Sequence, residues 1–302
     1  MSTKKTNNKD FKKAQPKGKS SSVRKKTSSK KNNIQKENIH KKNKNVTKEE
    51  NNKEKKARKN IARKKELQKN DNTNLLLFDN DDFFNEIYKK GVIASRTPDS
   101  GERRKARFYN LCQFLQSIEG LSGEIVECGV WKGLSSYLMC RYLYRKNEDF
   151  TGNGYNVIDS FAGLSEPTKE DVIKDEIIFN GIQRKGMPFK KEGSYLGELN
   201  GVKKVLSKYP NIKYHKGWIP EVFLTLEEKQ YKFVHIDLDI YSPIKASLDY
   251  FYPKLISGGI IVCDDYGSIF WPGATKAVEK FCKEQSISVV RLNTGQAVFY
   301  KI

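Results

Sequence analysis

Four aspartates of this chain stand where they could do chemistry. Asp237 and Asp239 follow the apolar run of "VHIDLDIYSP" (234–243), and Asp264 and Asp265 follow that of "IIVCDD" (260–265). Each run reads as a buried strand, so two strands deliver an acid pair to one edge of a sheet. Carboxylates offer hard oxygen ligands to a divalent cation, and one beside a substrate hydroxyl can take its proton. Capping of the following helices is the plainer use of such acids, but it accounts for one pair and not for both.

The turn "ECGVWKGLSS" (127–136) is the second feature. Glu127 closes an apolar run, and Gly129 and Gly133 flank the opening of a helix. Glycine lets backbone approach a ligand closely, and the free N–H groups of a helix start favour a carboxylate or phosphate. Trp131 stands where the dinucleotide fingerprint has its middle glycine, which sets the turn apart from that motif. Asp159, ending "YNVID" (155–159), occupies the position at which open parallel sheets hold ribose hydroxyls. The two features together favour an adenosine-type ligand over a plain strand-to-helix turn and a capping acid.

A scaffold of alternating strands and helices must position these residues, and the pattern from 104 onward supplies it. Strands are expected at 124–128, 155–159, 212–215, 232–237 and 259–263, with helices at 104–118, 133–145, 194–208, 220–229, 242–255 and 273–284 and a terminal hairpin at 287–301. The class is α/β, a Rossmann-like, mostly parallel seven-stranded sheet with helices on both faces and an antiparallel C-terminal hairpin. Residues 163–193, polar and Lys-rich with Gly181, Gly186 and Gly193, read as a long loop or lid over the sheet edge.

Charge divides the chain. Its 302 residues carry a formal charge of +21, but residues 1–70 hold 26 Lys+Arg and 6 Asp+Glu, leaving 31 and 30 for the rest. Residues 1–72 are therefore read as a disordered Lys/Asn-rich tail with too little apolar surface to offset chain entropy, and 73–302 as one domain. The tail suits electrostatic contact with nucleic acid, and runs such as "KEKKARKNIARKK" would pass as nuclear-targeting signals. No run nears the roughly 18 apolar residues of a membrane span, so a soluble cytoplasmic protein is expected, with a homo-oligomer left open. Cys112, Cys128, Cys140, Cys263 and Cys282 form no CxxC pair and read as buried reduced thiols.

The block Glu127 to Ser135 resembles the first motif of the catechol and caffeoyl-CoA O-methyltransferases, and more closely that of the macrocin O-methyltransferase family, which methylates sugar hydroxyls. "DSFAGL" (159–164), "KGWIPEVF" (216–223), the long run 235–267, "WPGATKAVEKF" (271–281) and "NTGQAVFY" (293–300) look like that family's successive blocks, over roughly 95–302. The resemblance implies S-adenosylmethionine as cofactor. Glu127, Gly129, Trp131 and Gly133 would lie at its methionine end, Ser135 would hold its carboxylate, Asp159 its ribose, and Gly217 and Trp218 would flank the adenine. It also implies Mg²⁺ on Asp237, Asp264 and Asp265. Where some relatives carry a catalytic Lys after the D-x-D acids, this chain has Ile240 and Tyr241. Asp239 is then the first candidate for the general base, beside Asp237, and a lid residue the second; His215 and His235 read as structural.

The reading is an S-adenosylmethionine-dependent O-methyltransferase acting on a sugar, glycan or small-molecule hydroxyl. Two others stand beside it: a nucleic-acid methyltransferase or binder using the basic tail, and a non-enzymatic adenosine-ligand module. Against the former, the body has no NPPY-like motif and no Pro-Cys nucleophile. Acceptor specificity is expected in the helix before 104 and in 163–193.

Overall fold

The computed structural model describes residues 77–99 and 101–302, which fall in one compact unit, Leu75–Ile302. The basic tail expected at 1–72 lies outside the described residues. A 3₁₀ turn, Leu77–Asn80, leads into α1 (Asp82–Ser95) and α2 (Glu102–Ser117). Then follow β1 (Glu124–Cys128), α3 (Leu134–Lys146), β2 (Tyr155–Asp159), β3 (Ile177–Phe179), β4 (Ile182–Arg184), α4 (Leu199–Val205), β5 (Lys213–Lys216), β6 (Tyr231–Ile236), α5 (Tyr241–Phe251), β7 (Leu255–Cys263), α6 (Pro272–Gln285), β8 (Val290–Arg291) and β9 (Ala297–Tyr300). Among the described residues no helix is long and apolar enough to cross a membrane.

The main sheet runs β5-β2-β1-β6-β7-β9-β8, parallel from β5 to β7 and antiparallel at β9 and β8. Side chains of a strand alternate between faces, and β7 shows it: Ile260 and Val262 join one core cluster, Ile261 and Cys263 the other. The first core, with Phe84, Leu111 and Leu138, lies under α1 to α3; the second, with Ile244, Leu248 and Phe281, lies under α5 and α6. Each such fully buried side chain contributes about 1.5–3 kcal/mol. Because all five parallel strands point the same way, the acid pairs after β6 and β7, the turn after β1 and Asp159 of β2 reach one edge together.

Several boundaries differ from the pattern-based reading. The helix expected at 194–208 is only α4, since Tyr195 and Gly197 are drawn against Trp131 by ring and backbone contact. The short helix expected at 220–229 is a 3₁₀ turn, Glu221–Thr225, and α5 stops at Phe251 so that β7 begins four residues early. The terminal hairpin keeps only two residues of β8. Residues 163–193 are not plain loop. They contain the β3–β4 hairpin, and Asp171 accepts hydrogen bonds from Thr168 N (2.8 Å) and from Tyr241 N at the start of α5 (2.8 Å). An acid in the lid thus caps a helix of the domain. Cys112, Cys128, Cys140 and Cys263 are buried free thiols and Cys282 is half-buried.

Candidate active site

A cavity of about 690 Å³ opens at the carboxyl edge of the sheet. Its floor at one end is the turn from β1 to α3. Gly129 has φ +83, and a Cβ there would fall 2.0 Å from the backbone oxygen of Asp237, so only glycine lets this turn lie against the end of β6. Trp131 adopts φ +45 without being glycine, a backbone strain that bulky residues rarely carry outside functional sites. Asp159 holds the turn in place. Its Oδ2 accepts from Val130 N (2.8 Å) and Trp131 N (3.2 Å), and its Oδ1 from Phe161 N (2.7 Å). Burial lifts its pKa above the usual carboxylate range in spite of those three amides.

Gly129, Trp131, Ser135, Asp159, Gly217 and Trp218 line the cavity, as do Asp237, Asp239 and Asp265. Three of the expected residues stand behind its wall. Gly133, at φ +81, precedes α3 and faces Val202. Asp264 is 1% exposed. Glu127, expected at the methionine end of the cofactor, is fully buried and directed into the core. Its strand register places it beside His235, and its carboxylate accepts from Ser136 Oγ, from Tyr155 Oη (3.0 Å) and from His235 Nδ1 (3.0 Å).

His235 continues inward to Asp264, with Nε2 3.2 Å from Oδ2. Burial alone would neutralise the imidazole, but its bonds to Asp264 and Glu127 prevail and push its pKa up to about 10, so it is a buried imidazolium between two carboxylates. His215 sits apart, its Nε2 3.1 Å from Asn156 Oδ1. Gln296 Nε2 donates to Asp264 Oδ1 at 2.9 Å.

Arg107 of α2 enters the acid cluster from the other side. Its guanidinium lies 3.5 Å from Asp237 Oδ2, 3.3 Å from Asp264 Oδ2 and 3.7 Å from Asp265 Oδ1. Burial opposes its charge, yet Asp264, Asp237 and Asp265 hold it protonated. The carboxylates separate accordingly. Burial would raise Asp264, but Arg107, His235 and Gln296 hold it below the usual range. Burial and the neighbouring carboxylates raise Asp237, push Asp265 up to about 7, and hold Asp239 well above the usual range. Asp265 Oδ2 is buried without a hydrogen-bond partner. Asp239 and Asp265 both take left-handed backbone, φ +63 and +67, at their strand ends. Aspartate tolerates that conformation, which turns each side chain into the cavity.

Tyr195, just past the lid, closes the remaining wall, packing edge-on against Trp131 (5.6 Å between centroids) and beside Trp271 (6.2 Å). Arg107 and Gln296 escaped the sequence reading. One signal for Arg107 was present, since it precedes Leu111 by four residues and so lies on the apolar stripe of α2, where a cation needs buried acids.

The macrocin O-methyltransferase (TylF) family model matches residues 17–301, wider than the resemblance over roughly 95–302 and reaching into the basic stretch. A tetracenomycin-rhamnosyl 4'-O-methyltransferase of Streptomyces olivaceus is 26% identical over 152 residues, 49% of this chain and 54% of that protein. The demethyldecarbamoylnovobiocin O-methyltransferase of Streptomyces niveus is 24% identical over 182 residues, 58% of this chain and 64% of that protein. The chain thus spans between half and two thirds of the length of these relatives. The crystal structure of the calicheamicin methyltransferase CalS11 has the same fold, with a TM-score of 0.54 at 16% identity over 72% of this chain and 91% of that one. With a family match over nearly its whole length and the sheet order and strand-end acids in place, the chain belongs to the macrocin O-methyltransferase family.

Proposed function

We propose that the chain moves a methyl group from S-adenosylmethionine to a hydroxyl of a sugar or another small molecule, with Mg²⁺ held by Asp237, Asp264 and Asp265. The carrying observation is one cavity bounded by the Asp159-pinned turn at one end and by Asp237, Asp239 and Asp265 at the other. Its size suits a cofactor with a small acceptor. The acids suit a hard cation: Asp265 Oδ2 is buried and unpartnered, and carboxylate oxygens of Asp237, Asp239 and Asp265 lie within 4.8 Å of one another. When bound, the cofactor supplies the methyl group, and the metal supplies a Lewis acid that makes the acceptor hydroxyl more acidic.

Residues of the chain do the rest. Ser135 and the start of α3 receive the cofactor's carboxylate, Asp159 its ribose, and Gly217 and Trp218 border the adenine. Asp239, which lines the cavity, is raised in pKa by burial and by Asp265 and Asp237, and forms no salt bridge with Arg107, takes the proton that the acceptor hydroxyl gives up. Tyr195, Trp131 and Trp271 exclude water and hold the acceptor near the transferred group. The tail-mediated nucleic-acid reading rests on residues outside those described.

The test is transfer of labelled methyl from S-adenosylmethionine to a panel of sugar and catechol acceptors, with and without EDTA. Turnover that EDTA abolishes and excess Mg²⁺ restores is expected. Undiminished turnover in EDTA would return the acids to a structural role. Asp159→Ala should weaken S-adenosylmethionine binding by about 1–3 kcal/mol, since the ribose loses an acceptor and the turn its pin. Calorimetry showing unchanged affinity in a folded variant would remove Asp159 from the site.

A further inference from the structure

The three carboxylates that Arg107 gathers, Asp237, Asp264 and Asp265, are the three that the proposed function gives to a divalent cation. We propose that Arg107 is the resident counter-ion of this cluster, holding the three acids together when no metal is bound and competing with a divalent cation for them. The inference rests on the magnesium reading of the site.

Geometry favours a counter-ion that can yield over a permanent clamp. An arginine that fixes a carboxylate makes two parallel hydrogen bonds at about 2.7–2.9 Å. Arg107 makes no such fork. It stands 3.3 to 3.7 Å from three different carboxylates, and its Nε is buried without a hydrogen-bond partner. It therefore supplies charge to all three without saturating any, and Asp265 Oδ2 is left unpartnered.

The backbone around it is anchored separately. Gln296 Nε2 reaches the carbonyl oxygen of Arg107 (3.3 Å) as well as Asp264 Oδ1 (2.9 Å), so one amide ties α2 to the end of β7. The long side chain can then turn aside while helix and acids keep their spacing. Asp264 also stays paired with His235. A cation entering the cluster would meet acids already arranged and one positive group that opposes it. Like charges a few ångströms apart in a buried site repel, so Arg107 sets the metal affinity downward.

The experiment titrates Mn²⁺ into the full chain and reads the free ion by electron paramagnetic resonance, for wild type, Arg107→Gln and Arg107→Lys. Arg107→Gln is expected to bind Mn²⁺ about tenfold more tightly or better, and Arg107→Lys, which keeps the charge, within about threefold of wild type. In EDTA the Arg107→Gln protein should melt below wild type, and Mg²⁺ should close the gap. Equal or weaker Mn²⁺ affinity in folded Arg107→Gln overturns the inference, and turnover that still needs metal would then leave the magnesium reading standing. Absence of metal binding in both proteins removes that reading and the competition with it. Should Arg107→Gln not fold, the side-chain ¹⁵N resonance of Arg107 in wild type decides: it should shift on Mg²⁺ saturation, and an unmoved resonance overturns the proposal.

Discussion

Asp239→Asn is expected to lower kcat by about 10²–10⁴-fold while S-adenosylmethionine binding and metal affinity persist. Asp239 lines the cavity, and burial with the Asp265 and Asp237 carboxylates makes it more basic than an ordinary aspartate. It is also the one acid of the four that Arg107 does not contact within salt-bridge distance. An amide of the same shape keeps the packing and removes only the proton acceptor. Asp237→Asn should behave differently. It removes a proposed metal ligand, so its loss of activity should be accompanied by weaker Mn²⁺ binding and be partly recovered by excess Mg²⁺. If Asp239→Asn also loses the metal, Asp239 is a ligand and the base must be sought in the lid. The oxygens of Asp237, Asp239 and Asp265 do lie within 4.8 Å of one another, so the two variants have to be measured side by side.

His235→Phe is expected to cost about 3–5 kcal/mol of stability, because it leaves Glu127 and Asp264 buried without the cation between them. The loss should depend on pH with a definite sign. The folded-state pKa of His235, about 10, lies above the ordinary 6.5. Its contribution is therefore complete below about pH 6.5 and disappears as pH rises through about 10. Urea unfolding of wild type and variant from pH 6 to 10 should show the difference shrinking across that window. A difference constant over the range would mean that the imidazole is neutral and its role is packing. Because His235 joins Glu127 at the end of β1 to Asp264 at the acid cluster, the variant should also lose activity by more than its stability explains. Arg107 and Gln296 still hold Asp264 in that variant, which leaves the damage greatest at Glu127.

Much of the frame was legible in the sequence, and for a local reason. The apolar runs 124–128, 155–159 and 259–263 emerge as strands because a buried parallel strand needs an unbroken apolar stretch, and that need is met by neighbouring residues alone. An acid directly after such a run must emerge at the strand's carboxyl end, so Asp159, Asp237, Asp239 and Asp265 could be placed at one edge without knowing the sheet order. Gly129 and Gly133 were read as letting the backbone approach a ligand; both take the left-handed backbone, Gly129 lining the cavity and Gly133 facing Val202.

Tertiary structure alone decided which of these groups face the cavity and which face each other. Glu127 and Asp264 have the same sequence credentials as Asp159 and Asp265, yet the β1–β6 register sets Glu127 beside His235, whose other ring nitrogen meets Asp264 just past β7, so both are buried, Glu127 in the core and Asp264 between His235 and Arg107. The lid's Asp171 became a helix cap because folding brought it to Tyr241, 70 residues away. Arg107 reached the acids from α2, a contact between residues 130 to 158 positions apart. Periodicity records which face of an element is apolar, a property of residues two to four apart. The energy of a buried charge depends on the distance to its counter-charge in space, and only the folded chain sets that distance.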